Sequence, residues 1–133
     1  MQTELKNLNV LSLAYMGDAV WEQFVRERVI LSLPNANHAD YLHKLGVKYV
    51  NAKAQAKAVK AMLDLGVFTE EEALLIKRAR NHKTATKAKN ADAITYKWAT
   101  AFETIIGSLY LQKEEKRLQE VMEKALDLLT AEK

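Results

Sequence analysis

An all-α chain is expected from three properties of this 133-residue sequence. It contains one proline, Pro34, and only four glycines. Alanine, leucine, lysine and glutamate, all good helix formers, are abundant. Apolar residues recur at helical spacing along the whole length. At 49% hydrophobic and 28% charged residues the chain is globular, and its length suits one domain, residues 1–133, with a real core. No repeat, linker or low-complexity stretch divides it.

The elements follow in order. A first helix spans about residues 10–30, with Leu11, Ala14, Tyr15, Trp21 and Val25 on its apolar stripe. It stops near Ser32-Leu33-Pro34-Asn35, a helix-breaking run. A short helix covers about residues 36–44 and ends at Gly46. A third covers about residues 48–65, with Gly66 as its C-terminal cap. Thr69 followed by Glu72 is a capping box, and Glu70 and Glu71 favour the positive helix end, so a fourth helix starts there and continues to Arg80. Residues 81–90 read as a basic loop. A fifth helix spans about residues 92–111. The sixth, residues 113–129, places Leu118, Val121, Met122, Ala125, Leu128 and Leu129 on one side. A bundle of about six to seven helices results.

Composition excludes several classes. With no cysteine, disulfides, thiolate zinc sites and cysteine nucleophiles are ruled out. The N-terminus lacks the pattern of a signal peptide, and the apolar run over residues 10–16 meets Asp18 and Glu22 well short of membrane-spanning length. A cytoplasmic protein without membrane contact is expected. Net charge is only +3, but residues 77–90 hold Lys77, Arg78, Arg80, Lys83, Lys87 and Lys89 and no acid. That segment carries +6; the other 14 basic and 17 acidic residues sum to −3. Positive charge is thus concentrated on an otherwise slightly acidic chain.

Two stretches carry the chemistry, residues 13–20 (Leu-Ala-Tyr-Met-Gly-Asp-Ala-Val) and residues 101–111 (Ala-Phe-Glu-Thr-Ile-Ile-Gly-Ser-Leu-Tyr-Leu). Each sets one carboxylate, Asp18 or Glu103, in an apolar helical segment on the stripe where core residues belong. Neither has a basic residue one turn away on its own helix. Gly17 and Gly107 each cost about 1 kcal/mol relative to alanine inside a helix, and such glycines mark close approach by another backbone. If helices one and five cross there, the two acids meet and can ligate Mg²⁺. The competing reading pairs each acid with a lysine or arginine from elsewhere. Pattern alone leaves both open.

These two stretches resemble the paired acidic motifs of ribonuclease III, whose signatures read roughly Leu-Glu-Phe-Leu-Gly-Asp-Ala-Val-Leu and Phe-Glu-Ala-Leu-Ile-Gly-Ala-Leu-Tyr-Leu, in the same order and at similar separation. The likeness is greatest to the compact branch that has a catalytic domain and no double-stranded-RNA-binding domain. Residues 52–56 (Ala-Lys-Ala-Gln-Ala), 68–72 (Phe-Thr-Glu-Glu-Glu), Arg80-Asn81 and Thr95-Tyr96 also look like that branch. The resemblance implies an endoribonuclease domain that cuts double-stranded RNA with Mg²⁺, Mn²⁺ being a substitute. It implies a homodimer with two active sites along one RNA groove, each leaving a 5′-phosphate and a 3′-hydroxyl. It further implies maturation of the large-subunit (23S) ribosomal RNA precursor, with ribosomal proteins as candidate partners. Asp18 and Glu103 take the catalytic, metal-ligating positions. Larger relatives carry two further acids, where this chain has Ala14 and Thr100, so the metal count is open; Asp92 is a candidate to compensate.

The basic segment is the second functional element, because A-form RNA is read mainly by shape and backbone. Lys77, Arg78, Arg80, Lys83, Lys87 and Lys89 are candidate RNA contacts, with Asn81, Thr84 and Thr86 as hydrogen-bonding helpers. A plain solvated loop is the bland alternative. Lys53 and Gln55 either touch RNA, support the site or lie on an exposed helix face. Trp21, Trp98, Tyr96 and Tyr110 read as packing residues, and His38, His43 and His82 lack metal-site spacing. Two other functions compete: an RNA-binding, ribosome-associated protein without turnover, and a helix-turn-helix DNA regulator. The first would not need both acids; the second needs a base-reading helix where the basic cluster looks like a loop.

Overall fold

The computed structural model describes residues 8–33, 39–82 and 91–131. Among them are six helices and no strand: α1 (Val10–Ser32), α2 (Ala39–Val50), α3 (Ala52–Asp64), α4 (Glu70–Arg80), α5 (Ala91–Leu111) and α6 (Glu115–Thr130). The expected all-α bundle is present. α5 is its central element, packing most extensively on α1 and also on α3, α4 and α6.

The core forms where these helices converge. Trp21, Phe102, Met62, Ile76, Ile105, Ile106, Val25, Val59 and Val121 are fully buried. Trp21 meets the edge of Phe102 at 4.9 Å and stacks on Phe24 at 5.6 Å. Its indole Nε1 donates to the Tyr49 carbonyl at 2.9 Å, tying α1 to the end of α2. On α6, Leu118, Val121, Met122 and Ala125 are buried as expected, with Leu128 and Leu129 half-buried.

The stripe of α1 differs from expectation. Leu13, Ala14, Gly17, Val20, Trp21, Phe24 and Val25 face inward, whereas Leu11 and Tyr15 are exposed, Tyr15 by 85%. The crossing with α5 sets this phase. A Cβ on Gly17 would lie 1.8 Å from the Glu103 carbonyl oxygen and 2.9 Å from the Gly107 nitrogen. A Cβ on Gly107 would lie 1.8 Å from the Leu13 carbonyl oxygen and 2.9 Å from the Gly17 nitrogen. The two backbones touch at reciprocal glycines, and no side chain fits between them.

The boundaries also moved. The second helix runs through Gly46 to Val50, and the break between it and α3 falls at Asn51 rather than near Gly46, inside the stretch expected to be the third helix. Asn51 explains it: its Oδ1 accepts from the Ala54 N–H at 2.8 Å, capping α3, while its Nδ2 donates to the Val47 carbonyl at 3.0 Å. Gly66 closes α3 with a positive φ of 70°, its N–H donating to the Leu63 carbonyl and that of Val67 to Met62, a Schellman cap. The end of α5 uses the same motif with Lys113 at φ 62° in the glycine position. The capping box of α4 is present in both directions: the Glu72 N–H donates to Thr69 Oγ1 at 3.1 Å, and the Thr69 N–H to Glu72 Oε1 at 2.9 Å.

Candidate active site

The glycine contact that joins α1 to α5 also joins their acids. Asp18 follows Gly17, and the Glu103 carbonyl occupies the space a Cβ on Gly17 would need. The Asp18 and Glu103 carboxyls lie within hydrogen-bonding reach of each other. Asp18 sits at the exposed edge of the α1 stripe rather than within it; Glu103 is half-buried. Among the described residues neither acid forms an ion pair with a lysine or arginine, and no third histidine or acid joins them.

The electrostatics follow from that placement. Burial, then the negative charge of Asp18 and the hydrogen bond with it, push the Glu103 carboxyl up to about 8. A hydrogen bond with the Gln55 amide opposes the rise. Two carboxylates this close are held together at neutral pH by a shared proton or by a cation. A divalent ion is suited to the second role, because carboxylate oxygens are its preferred ligands.

Gln55 lies elsewhere than an exposed helix face. It is 2% exposed and points inward with Ala54, Ala56, Ala58 and Val59. Its Nε2 donates to the Val50 carbonyl at 3.0 Å, so the direct RNA contact expected of it is overturned. The cap at Asn51 fixes the phase of α3 and turns residue 55 toward α5; that cap was the signal available in the sequence. Lys53, by contrast, is exposed, on the same face as Lys57 and Lys60.

The basic segment is partly placed. Lys77 and Arg78 are exposed in the last turn of α4, and Asn81 is exposed just beyond. Arg80 lies over the Trp98 ring, 5.0 Å from its centroid, with its Nε donating to Asn81 Oδ1 at 3.3 Å. The Lys60 ammonium is 5.6 Å from the same ring. Trp98 is thus a half-buried platform for two cations from α3 and α4, a role that reading it as packing missed. Tyr96 and Tyr110 are half-exposed rather than packed inside. Lys83, Thr84, Thr86, Lys87 and Lys89 lie outside the described residues. Asp92 is in the first turn of α5, eleven residues or about 16 Å of helix before Glu103, too far to complete the pair. Ala14 and Thr100 are buried.

Comparison with known proteins assigns this architecture. A family model, "Ribonuclease III domain", matches residues 11–114, which include both acids. The chain is 44% identical to a Mini-ribonuclease 3 of Staphylococcus aureus over 94% of its length and 92% of the relative's. It is also 44% identical to a Mini-ribonuclease 3 of Enterococcus faecalis, over 90% and 89%. A crystal structure of a Fusobacterium nucleatum protein superposes with a TM-score of 0.76 at 31% identity, covering 93% of this chain and 96% of that one. A helical bundle matched at this level over nearly its whole length belongs to the ribonuclease III family in its Mini-ribonuclease 3 branch, and is an endoribonuclease of that family.

Proposed function

We propose that this endoribonuclease cleaves double-stranded or structured RNA with a divalent cation, Mg²⁺, held by Asp18 and Glu103. One observation carries the assignment. Two carboxylates are brought into hydrogen-bonding contact at a helix crossing that supplies no lysine or arginine to neutralise them among the described residues. Bringing two like charges together is costly unless something outside the chain binds both.

The chain's own groups then divide the work. Gly17 and Gly107 let α1 and α5 touch and so fix the separation of the two acids. Asp18 and Glu103 hold the cation, and neither takes a covalent role. Mg²⁺ bound there supplies charge neutralisation at the scissile phosphate and acidifies water. Lys77, Arg78 and Lys53 hold phosphates of the duplex backbone, with Arg80 kept in place by Trp98. Lys83, Lys87 and Lys89 extend that basic track. Cleavage leaves a 5′-phosphate and a 3′-hydroxyl.

The finer reading is one domain acting as a homodimer on the 23S ribosomal RNA precursor in the cytoplasm. Leu11 and Tyr15 on α1 and Tyr110 on α5 stay exposed in one copy and are suited to burial against a second. No described helix is long and apolar enough to cross a membrane.

The test is incubation with a long RNA duplex, with Mg²⁺ and with a chelator, comparing the intact chain with Asp18→Asn. Cleavage by the intact chain only when Mg²⁺ is present, with Asp18→Asn inactive yet still binding duplex, is expected. Full activity of Asp18→Asn would refute the site.

A further inference from the structure

We propose that Gln55 is a positioning residue of the cation site: its amide holds the Glu103 carboxylate in place, and its Oε1 accepts a hydrogen bond from water around the bound ion. This rests on reading Asp18 and Glu103 as that site. Gln55 is 2% exposed, and burying a primary amide is unfavourable unless its groups are satisfied. Its Nε2 carries two hydrogens. One goes to the Val50 carbonyl at 3.0 Å, the last residue of α2. The amide also lies close enough to Glu103 on α5 to lower that carboxyl. An amide placed in this way links a fixed backbone carbonyl to a carboxylate that has no lysine or arginine partner among the described residues.

The other half of the amide is unmatched. Gln55 Oε1 is buried and has no donor among the described residues. The bond to Val50 fixes which end of the amide is the nitrogen, because a carbonyl oxygen cannot donate there. The oxygen left over is an unmatched acceptor on a side chain that adjoins the proposed cation site, and water around a cation is a strong donor. Outer-shell partners of this kind orient ligating carboxylates, and losing one commonly lowers metal affinity ten- to a hundredfold. A solely structural amide would be expected to have both ends satisfied by protein.

The experiment titrates Mn²⁺ alone into the full chain by calorimetry, for wild type and for Gln55→Met, which keeps length and volume without polar groups. Thermal unfolding confirms that each variant is folded. Wild type should bind Mn²⁺, and Gln55→Met should bind it at least about tenfold more weakly. Its duplex cleavage should return to near the wild-type rate at saturating Mn²⁺, a recovery that general loss of structure would not give. If Gln55→Met does not fold, Gln55→Asn replaces it; one methylene shorter, it cannot span Val50 and Glu103 and should show the same loss. Equal Mn²⁺ affinity in wild type and variant overturns the role of Gln55 while leaving the Asp18–Glu103 site intact. Failure of wild type to bind Mn²⁺ overturns the site itself, and this inference with it.

Discussion

Glu72 and Glu103 are the same residue in the same small bundle, and the protein treats them in opposite ways. Glu72 is buried at the start of α4, where Arg117 grips it with two hydrogen bonds, Nε to Oε2 at 2.9 Å and Nη2 to Oε1 at 2.7 Å. The same guanidinium donates to the Val67 carbonyl at 2.8 Å, and Glu72 also closes the capping box with Thr69. Burial alone would push the Glu72 carboxyl up, but Arg117 and the Thr69 N–H outweigh it and hold it below the ordinary range. Glu103 has a second acid as neighbour and is pushed up to about 8. The fold gives one glutamate a guanidinium partner and leaves the other with none among the described residues. On the proposed function, that difference separates a structural carboxylate from one available for chemistry.

The contrast breaks most sharply in rate. Glu103→Gln should lower duplex cleavage on the order of 1,000-fold, about 4 kcal/mol of barrier, in a single-turnover assay. The same change relieves repulsion from Asp18 and should leave the metal-free melting temperature unchanged or higher. Next come the glycines. Gly17→Ala or Gly107→Ala forces the α1 and α5 backbones apart and should cost about 3 kcal/mol in denaturant unfolding, with cleavage falling as the acids separate. Arg117→Met strands Glu72 and should cost about 2 kcal/mol of stability, less than a fully buried pair because Arg117 is partly solvated. Cleavage per folded molecule should not change.

Acidity separates the two glutamates by sign. A carboxyl raised in the folded state binds its proton more tightly there than in the unfolded chain. In metal-free protein the Glu103 contribution is therefore complete at low pH and is lost as pH rises from about 4.5 through about 8. Glu72, lowered in the folded state, contributes fully above 4.5 and loses that contribution as pH falls below it. Melting curves of metal-free Glu103→Gln and of Glu72→Gln should lose the opposite limbs of the wild-type pH profile.

The smallest effect lies between the two regions, in the turn from α5, which carries Glu103, to α6, which carries Arg117. Lys113 holds a left-handed conformation there that glycine adopts without cost. Lys113→Gly should stabilise by about 0.5 to 1 kcal/mol, read as a rise in the denaturant midpoint. This turn also marks where sequence reading stops. Gly66 announces its cap through residue type; Lys113 makes the same cap with no such signal, so the sixth helix was placed two residues early. The Thr69–Glu72 box was readable because both partners are local. The close approach of α1 and α5 is readable from Gly17 and Gly107, unexpected inside helices; that Asp18 meets Glu103 there, rather than a lysine or arginine, is one of two readings the pattern leaves open. Burial of Gln55 is legible only through Asn51, which caps α3 and sets its phase but reads equally well as a residue inside one longer helix. The exposure of Tyr15 depends on the rotation of α1 about its crossing with α5, which only the packed structure sets.

The most direct measurement is a carboxyl-carbon NMR titration of Glu103, with and without saturating Mg²⁺. The account predicts a midpoint near 8 in metal-free protein, moving below the ordinary carboxylate range when Mg²⁺ is present. A midpoint near 4.5 that is indifferent to Mg²⁺ would contradict it.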